Sequence, residues 1–205
     1  MRRSFIANVS HELKTPMTTI AGFIDGMLDG TIPKEQHRHY MNIVSLEVKR
    51  LSRLVQSMLS LSRIDNGELK LSKQDFEMFS VIINVLAGFE MQISSKNIDI
   101  RGLENFRQIK VNADPDLIHQ VIYNLIENAV KFTNENGYIA FSALETSYDI
   151  TVSIENSGPG IPSEDIRYIF DRFYKTDKSR SVDKKGMGLG LFITKSIMRL
   201  HGGHI

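Results

Sequence analysis

The chain of 205 residues carries 25 Lys and Arg against 24 Asp and Glu, a formal net charge of +1, and it contains no cysteine. Near-neutral charge argues against binding to nucleic acid or an acidic membrane through a strong field, and the lack of thiols excludes disulfides and cysteine-ligated metals. No run approaches the ~18 apolar residues of a membrane span, so we expect these residues to make no membrane contact.

The first predicted element is a helix from the start of the chain to about Leu28, followed by a break at residues 29–33 and a second helix. Two such helices predict an antiparallel hairpin that ends at residues 65–67. Its apolar seam comprises Ile6, Val9, Leu13, Ile20, Phe23 and Met27, with Val44, Val48, Leu51, Val55 and Met58 on the second helix. Because a lone hairpin would expose this seam, we expect two copies to form a four-helix bundle. The alternative is that the seam packs on the C-terminal part of the same chain.

His11 is predicted to face away from the seam, because it follows Val9 by two residues and precedes Leu13 by two. The neighbouring carboxylate of Glu12 could accept the proton that leaves the imidazole, which frees the other ring nitrogen to attack an electrophile. Pro16 predicts a bend just after this pair. The alternative is a solvated histidine on a helix surface.

From about residue 69, strand and helix patterns alternate, which predicts an α/β sandwich with a mixed sheet. The predicted strands are residues 71–76, 98–103, 108–112, 138–144 and 149–155, and the predicted helices are residues 80–94 and 115–132. Asn136-Gly137 signals a hairpin turn. The predicted fold class is therefore α+β, with a helical domain at residues 1–66 and an α/β domain at residues 70–205.

Asn124, Asn128 and Lys131 fall at i, i+4 and i+7 on the second of these helices and form one polar stripe. A separate apolar stripe contains Ile118, Val121, Ile122, Leu125 and Ala129. Amide oxygens are hard ligands for hydrated Mg²⁺, and Lys neutralises phosphate charge, so the stripe can hold a metal–phosphate group. The alternative is a solvated helix face.

Two glycine-rich stretches flank a polar segment in the last quarter of the chain. Residues 156–161 read Asn-Ser-Gly-Pro-Gly-Ile and follow a strand, so their backbone can approach a flat ligand, although an ordinary Gly-Pro turn would look the same. Residues 186–191 open the last helix, whose N–H groups and dipole can face phosphates. Between them, residues 176–185 predict a mobile lid.

Five stretches resemble, in order, the motifs of the sensor histidine kinases of two-component signalling. Residues 5–16 resemble the phosphoacceptor box, 124–133 the asparagine box, 156–161 the first glycine box, 170–175 the phenylalanine box and 186–191 the second glycine box. The resemblance implies that residues 1–66 dimerise and accept the phosphoryl group, and that residues 70–205 bind ATP. It also implies transfer of the phosphoryl group to an aspartate on the receiver domain of a response regulator.

The resemblance further implies roles for individual residues. His11 would be phosphorylated, Glu12 would be its acid/base partner, and Thr15 would help to orient water when the kinase acts as a phosphatase on its partner. Asn128 would bind Mg²⁺. The implied ATP site comprises Asn124, Asn128, Lys131, Asn156, Gly158, Gly160, Ile161, Phe173, Tyr174, Lys175, Gly186, Gly188, Leu189 and Gly190.

The chain departs from the family pattern in two respects. Asn156 stands where the family usually has an aspartate that accepts a hydrogen bond from the adenine amine, and an amide oxygen accepts without charge assistance. The chain also begins within a helix and stops before the family's closing β-hairpin, which would leave a sheet edge unpaired. We therefore expect a cytoplasmic fragment of a longer, membrane-anchored sensor.

Two other functions remain open from the sequence. One is a nucleotide-binding pseudokinase or dimeric signalling scaffold, with Asn156 and the missing end as its defects. The other is an ATPase of the type II topoisomerase relatives, which share the nucleotide fold. That ATPase would need a water-activating glutamate and has no use for the box around His11.

Overall fold

The computed structural model describes residues 2–65, 67, 70–106, 108–176 and 188–205. Contacts within the chain divide it into two compact units, residues 1–66 and 67–205. The first unit is helical and the second combines helices with two sheets. The predicted α+β class is confirmed.

The first unit is a helical hairpin of α1 (Arg2–Leu28) and α2 (His37–Asp65), joined through a short 3-10 turn at Lys34–Gln36. α1 continues through Pro16, which is buried. At the connection, the Asp29 carboxylate accepts a hydrogen bond from the Thr31 N–H at 2.9 Å. The rings of Phe23 and Tyr40 meet across the two helices, with centroids 4.8 Å apart.

The residues of the predicted seam on the second helix differ in their burial within a single chain. Val44, Leu51 and Met58 are half-buried, whereas Val48 and Val55 are 49% and 43% exposed. Among the α2 side chains that the structure describes, the two most buried lie outside the predicted seam: they are Leu54, at 2% exposure, and Glu47, at 6%. Part of the apolar surface of α2 is therefore left uncovered within one copy of the chain.

The second unit contains five strands and four α-helices among its described residues. In chain order these are β1 (Gln74–Glu77), α3 (Met78–Ala87), α4 (Glu90–Ser95), β2 (Asp99–Arg101), β3 (Lys110–Ala113), α5 (Pro115–Phe132), β4 (Tyr138–Glu145), β5 (Ile150–Asn156) and α6 (Gly190–Leu200). A 3-10 helix, Leu103–Phe106, lies between β2 and β3.

The strands form two sheets rather than the single sheet predicted. β1 pairs antiparallel with β3, while a three-stranded sheet has the order β2-β4-β5. In the latter, β2 runs parallel to β4 and β5 runs antiparallel to it, so this sheet is mixed. The core of the unit lies between the helices and the strands, and includes Ile82, Phe106, Ile122, Ile126, Ile139 and Phe141.

The predicted helix at residues 80–94 is wrong in both its start and its continuity. It begins at Met78, whose N–H donates to the Ile109 carbonyl, and it is interrupted between α3 and α4. Gly88 and Phe89 turn the chain there through hydrogen bonds to Val85 and Leu86. At this interruption, the Phe89 side chain is only 7% exposed and belongs to the core.

Asn136-Gly137 connects α5 to β4 and does not close a hairpin. The Asn136 N–H donates to the Lys96 carbonyl at 2.8 Å, and Asn136 adopts a positive φ of 58°. The β4–β5 hairpin is closed instead by Thr146 and Asp149, whose backbones hydrogen-bond at 2.9 Å. Asn-Gly suits any tight turn that needs a positive φ, and here that turn joins a helix to a strand instead of two strands.

Candidate functional site

The helix that carries the polar stripe, α5, is held firmly at both ends. At its start, the Asp114 carboxylate accepts hydrogen bonds from the N–H groups of Leu117 and Ser72, and the Asp114 N–H donates to Nε2 of His201. At its end, Nζ of Lys96 donates to the carbonyls of Val130, Lys131 and Thr133 at 2.8–2.9 Å. A cation at this end also offsets the negative end of the helix dipole.

The apolar stripe of α5 is shifted slightly from the predicted one. Its buried residues are Ile118, Val121, Ile122, Ile126, Ala129 and Val130. Leu125, predicted to belong to this stripe, is only half-buried. The reason is that Ile126 and Val130 complete the core-facing side of the helix.

The three residues of the polar stripe are all half-buried but differ in their contacts. Nδ2 of Asn124 donates to the Gly190 carbonyl at 3.1 Å and lies 3.4 Å from Oγ1 of Thr194. Within the part of the chain that the structure describes, the Asn128 side chain has no hydrogen-bond partner. The Lys131 ammonium lies 5.1 Å from the centre of the Phe132 ring. Asn124 is thus engaged by α6, whereas the Asn128 amide makes no such contact with the described residues.

The loop after β5 lies against the end of α5. Ser157 fixes the loop, because its N–H donates to the Tyr138 carbonyl and its Oγ accepts from the Tyr138 N–H. A Cβ added to Gly158 would overlap the Phe132 carbonyl oxygen, whereas one added to Gly160 would meet no atom within 4 Å. The first glycine is therefore required by the fold, and the second faces open space.

The remaining predicted residues of this loop offer surface to a ligand. Asn156 ends β5 and is half-buried, and its side chain makes no hydrogen bond to the described residues. Ile161 is 49% exposed. An amide and an apolar side chain of this kind suit the edge and the face of a planar ring.

The phenylalanine stretch contacts the start of α6. The Phe173 N–H donates to the Gly188 carbonyl at 3.0 Å, and a Cβ on Gly188 would lie 2.6 Å from the Tyr174 carbonyl oxygen. Both residues adopt positive φ values, 63° for Phe173 and 67° for Gly188. Tyr174 donates through its hydroxyl to the Asp165 carboxylate, and the Arg172 guanidinium lies 4.4 Å from the centre of the Phe192 ring.

α6 begins at Gly190, after the buried Leu189. Leu189 has no side-chain oxygen to cap the first N–H groups of α6, and the first turn contains no acidic residue. The first N–H groups of α6 have no side-chain cap among the described residues. Together with the positive end of the helix dipole, they make this a suitable place for phosphate oxygens. Lys175, also predicted for this site, is half-buried.

Several predicted site residues lie outside the described part of the structure. These are Gly186, most of the predicted lid, and the side chains of His11 and Glu12, whose backbone belongs to α1. Thr15 is exposed on α1, and its carbonyl accepts a hydrogen bond from Thr19 Oγ1.

Lys96, Thr194 and His201 support the site but were not predicted from the sequence. Lys96 and His201 contact residues far away along the chain, so no local pattern marks them. Thr194 lies one helical turn after Gly190, and its position at i+4 is the one signal that could have suggested a role beside the glycine stretch.

The polar stripe offers amide oxygens to a magnesium ion, which phosphate oxygens could bind as well. Among the described residues, no group of three or more His, Asp or Glu side chains could hold a metal ion. An Asn amide oxygen is a hard ligand, and Mg²⁺ in proteins is commonly bound by few protein ligands together with substrate phosphates and water. Asn128, whose amide has no hydrogen-bond partner among the described residues, fits this arrangement.

Hydrogen bonds shift the pKa values of two side chains elsewhere in the molecule. The Glu155 carboxylate accepts the Tyr138 hydroxyl at 2.8 Å and raises the pKa of that phenol. The hydrogen bonds from Thr31 lower the pKa of the Asp29 carboxyl. Neither group is part of the polar stripe.

None of the helices described is long and apolar enough to cross a membrane.

The fold defines a class of protein in which a helical hairpin precedes a mixed α/β domain. Residues 1–67 match the His Kinase A (phospho-acceptor) domain. Residues 113–205 match the family of histidine kinase-, DNA gyrase B- and HSP90-like ATPases. The catalytic domain of histidine kinase ThkA is 33% identical, with a TM-score of 0.53, and the match covers 62% of this chain and 80% of that one. The chain belongs to the sensor histidine kinase family.

Longer relatives agree with this assignment. The sensor histidine kinase WalK of Bacillus subtilis is 35% identical over 207 residues; the match covers all of this chain but only 34% of WalK. The Acinetobacter baumannii histidine kinase AdeS is 28% identical, with a TM-score of 0.72, and the match covers 92% of this chain and 86% of that one. ThkA was also solved in complex with the response regulator protein TrrA; that structure is 32% identical, with a TM-score of 0.72, over 98% of this chain and 55% of ThkA.

Proposed function

We propose that this chain is the core of an ATP-dependent protein-histidine kinase. A nitrogen of His11 attacks the γ-phosphorus of bound ATP, the bond to the β-phosphate oxygen breaks, and ADP leaves. Glu12 takes the proton from the other ring nitrogen. The phosphoryl group then passes to an aspartate of a response regulator, so that His11 is free for another cycle.

The observation that carries this proposal is the convergence of three motifs on α5. Asn124 of α5 contacts Gly190 at the start of α6, and Gly158 packs against the end of α5. Along α5, these two contacts, at Asn124 and at Phe132, lie on either side of Asn128 and Lys131. Positioning and charge neutralisation are the main demands of phosphoryl transfer, and this arrangement supplies groups for both.

Within this site, each group takes a part that its chemistry suits. Asn128 binds Mg²⁺ together with phosphate oxygens, and Lys131 neutralises phosphate charge. The adenine lies at Asn156, Gly158, Gly160 and Ile161, and the phosphates lie at the backbone of Gly186, Gly188, Leu189 and Gly190. Phe173, Tyr174 and Lys175 form the adjoining wall.

Partners follow from the first unit and from the relatives. The exposed apolar residues Val48 and Val55 support a homodimer through the helical hairpins. The ThkA–TrrA complex supports a response regulator as the phosphoryl acceptor. Thr15, exposed one turn after His11, would orient water when the same chain dephosphorylates that partner. The chain would be the cytoplasmic catalytic part of a membrane-anchored sensor.

Incubation with γ-labelled Mg-ATP tests the nucleophile. The chain should acquire label that is lost in acid and retained in alkali, as expected for phosphohistidine. His11→Gln should abolish labelling but leave ATP binding intact, and Glu12→Gln should reduce the rate by ~10²–10⁴-fold. His39→Gln is the matched control and should be labelled normally. Label that persists in His11→Gln would contradict the assignment of the nucleophile.

Asn156 favours a second candidate, a nucleotide-binding scaffold without kinase activity. An amide in place of a carboxylate weakens the expected contact with adenine. This candidate predicts that ATP binds but that His11 acquires no label under any condition. The labelling experiment and a direct binding measurement therefore separate the two functions.

A further inference from the structure

Asn124 and Thr194 join α5 to α6 at a point where both helices border the proposed phosphate site. The Asn124 Nδ2 is 3.1 Å from the Gly190 carbonyl oxygen and 3.4 Å from Thr194 Oγ1. Thr194 has no solvent exposure, so its hydroxyl is a buried polar group in the contact between the two helices. Polar groups are buried in this way when they have a partner to satisfy them.

The contacts of Asn124 distinguish it from Asn128, one turn further along the same helix. A carbonyl oxygen can only accept, so the Asn124 group that faces Gly190 must be its NH₂ donor. Metal ions bind the amide oxygen, not the amide nitrogen. Asn124 therefore contacts Gly190 and Thr194 through its NH₂ group, which does not bind metal ions. Asn128, in contrast, has no such contact among the described residues.

We propose that Asn124 and Thr194 form a clasp that fixes the first turn of α6 on α5, so that Asn124 acts through its NH₂ group as a positioning residue for the nucleotide phosphates. This inference rests on the proposed ATP site. Asn124 acts through the backbone of Gly190, whose carbonyl it holds. The first N–H groups of α6 are thereby kept in place for phosphate oxygens.

The two roles predict opposite results for Asn124→Asp. A carboxylate is at least as good a magnesium ligand as an amide, so a metal ligand should tolerate the change when Mg²⁺ is present. A clasp should not tolerate it, because the carboxylate lacks the N–H donor and would face the Gly190 carbonyl oxygen.

The experiment measures ATP, ADP and adenosine affinity by competition with a fluorescent ATP analogue, in Mg²⁺ and in EDTA. Asn124→Asp and Thr194→Val should each weaken ATP and ADP binding by about three- to tenfold, by the same factor in both buffers. Adenosine affinity should not change, because adenosine does not reach α6. In the double variant, ATP binding should weaken by less than the product of the two single factors, because both substitutions remove the same contact between Asn124 and Thr194.

Matched controls separate the clasp from other causes. Thr194→Ser keeps the hydroxyl and should bind ATP like the unaltered chain. If Thr194→Val does not fold, the comparison of Asn124→Asp with Thr194→Ser still tests the clasp. Asn128→Asp should change ATP affinity in Mg²⁺ differently from its change in EDTA. Retained ATP affinity of Asn124→Asp in Mg²⁺, or an equal loss for adenosine, would overturn the clasp. If the unaltered chain binds no ATP in either buffer, the proposed function fails instead.

Discussion

The two glycines of the loop after β5 are subject to different constraints. A side chain on Gly158 would collide with the backbone at the end of α5, whereas Gly160 has no atom nearby. We predict that Gly158→Ala lowers the thermal unfolding midpoint markedly, because the backbone on both sides must shift. Gly160→Ala should leave that midpoint unchanged but weaken ATP binding, since the methyl group occupies space that the nucleotide needs. Thermal unfolding and calorimetry with ATP measure both effects.

Equal stability of the two Gly→Ala variants would contradict the steric argument for Gly158. Unchanged ATP affinity of Gly160→Ala would show that the nucleotide does not approach this loop closely.

Asn156 provides a test of nucleotide selectivity. Replacing the amide by a carboxylate restores charge assistance to the proposed bond with the adenine amine, so Asn156→Asp should tighten ATP binding by about 1 kcal/mol, roughly five- to tenfold. The Asn156 NH₂ group can also meet O6 of guanine, which a carboxylate would repel. The ratio of ATP to GTP affinity should therefore rise in the variant.

Paired calorimetry with ATP and GTP, in Mg²⁺, measures this ratio for both forms of the chain. If neither the ATP affinity nor the ratio changes, Asn156 does not contact the base, and the adenine lies elsewhere.

The side chains of the polar stripe could be chosen from the sequence, but their division of labour could not. Regular spacing at i, i+4 and i+7 placed Asn124, Asn128 and Lys131 on one face of α5. Asn124 faces α6 because of the way α5 and α6 pack together. These two helices are separated by more than fifty residues along the chain. Spacing within one helix contains no information about such a contact.

At the scale of elements, the capping of α5 decides how firmly the site is built. Lys96 makes three hydrogen bonds to carbonyls at the end of this helix. We predict that Lys96→Met destabilises the second unit by about 1–3 kcal/mol, because the bonds are charge-assisted and Lys96 is half-buried. Chemical denaturation measures the loss. The exposed Lys73, replaced in the same way, is the control and should have little effect.

The bounds of α5 could be predicted to the residue, as could the end of α1 at Leu28, whereas those of α3 and α4 could not. Pro115 at the first position, Asp114 as the N-cap and a sustained apolar period mark α5 locally. The break between α3 and α4 coincides with the burial of Phe89 in the core, a tertiary contact that the local sequence does not specify. The short strands were likewise limited by pairing partners, which a strand's own residues do not specify.

At the scale of the whole molecule, the hairpin leaves apolar residues of α2 exposed, and a second copy would cover them. We predict that the chain is a dimer by light scattering at tens of micromolar. Val55→Asp should dissociate it, because an unpaired buried charge costs several kcal/mol. Since Val55 is 43% exposed in the single chain, its replacement should leave the hairpin folded.

Lys49→Asp, an exposed change on another side of α2, is the control and should remain dimeric. Helical content by circular dichroism separates dissociation from unfolding. A monomeric unaltered chain would contradict the bundle.

The hydrogen bond between Phe173 and Gly188 has a consequence for chain length. It holds the phenylalanine stretch beside the start of α6, and residues 176–185 connect the two motifs along the sequence. The entropy of closing a connecting segment grows only with the logarithm of its length, so doubling the segment costs about 0.6 kcal/mol. Insertions and deletions in this segment should therefore be tolerated by the fold. In distant relatives, the phenylalanine and second glycine motifs should be recognised as one structural pair, even when the number of residues between them differs widely.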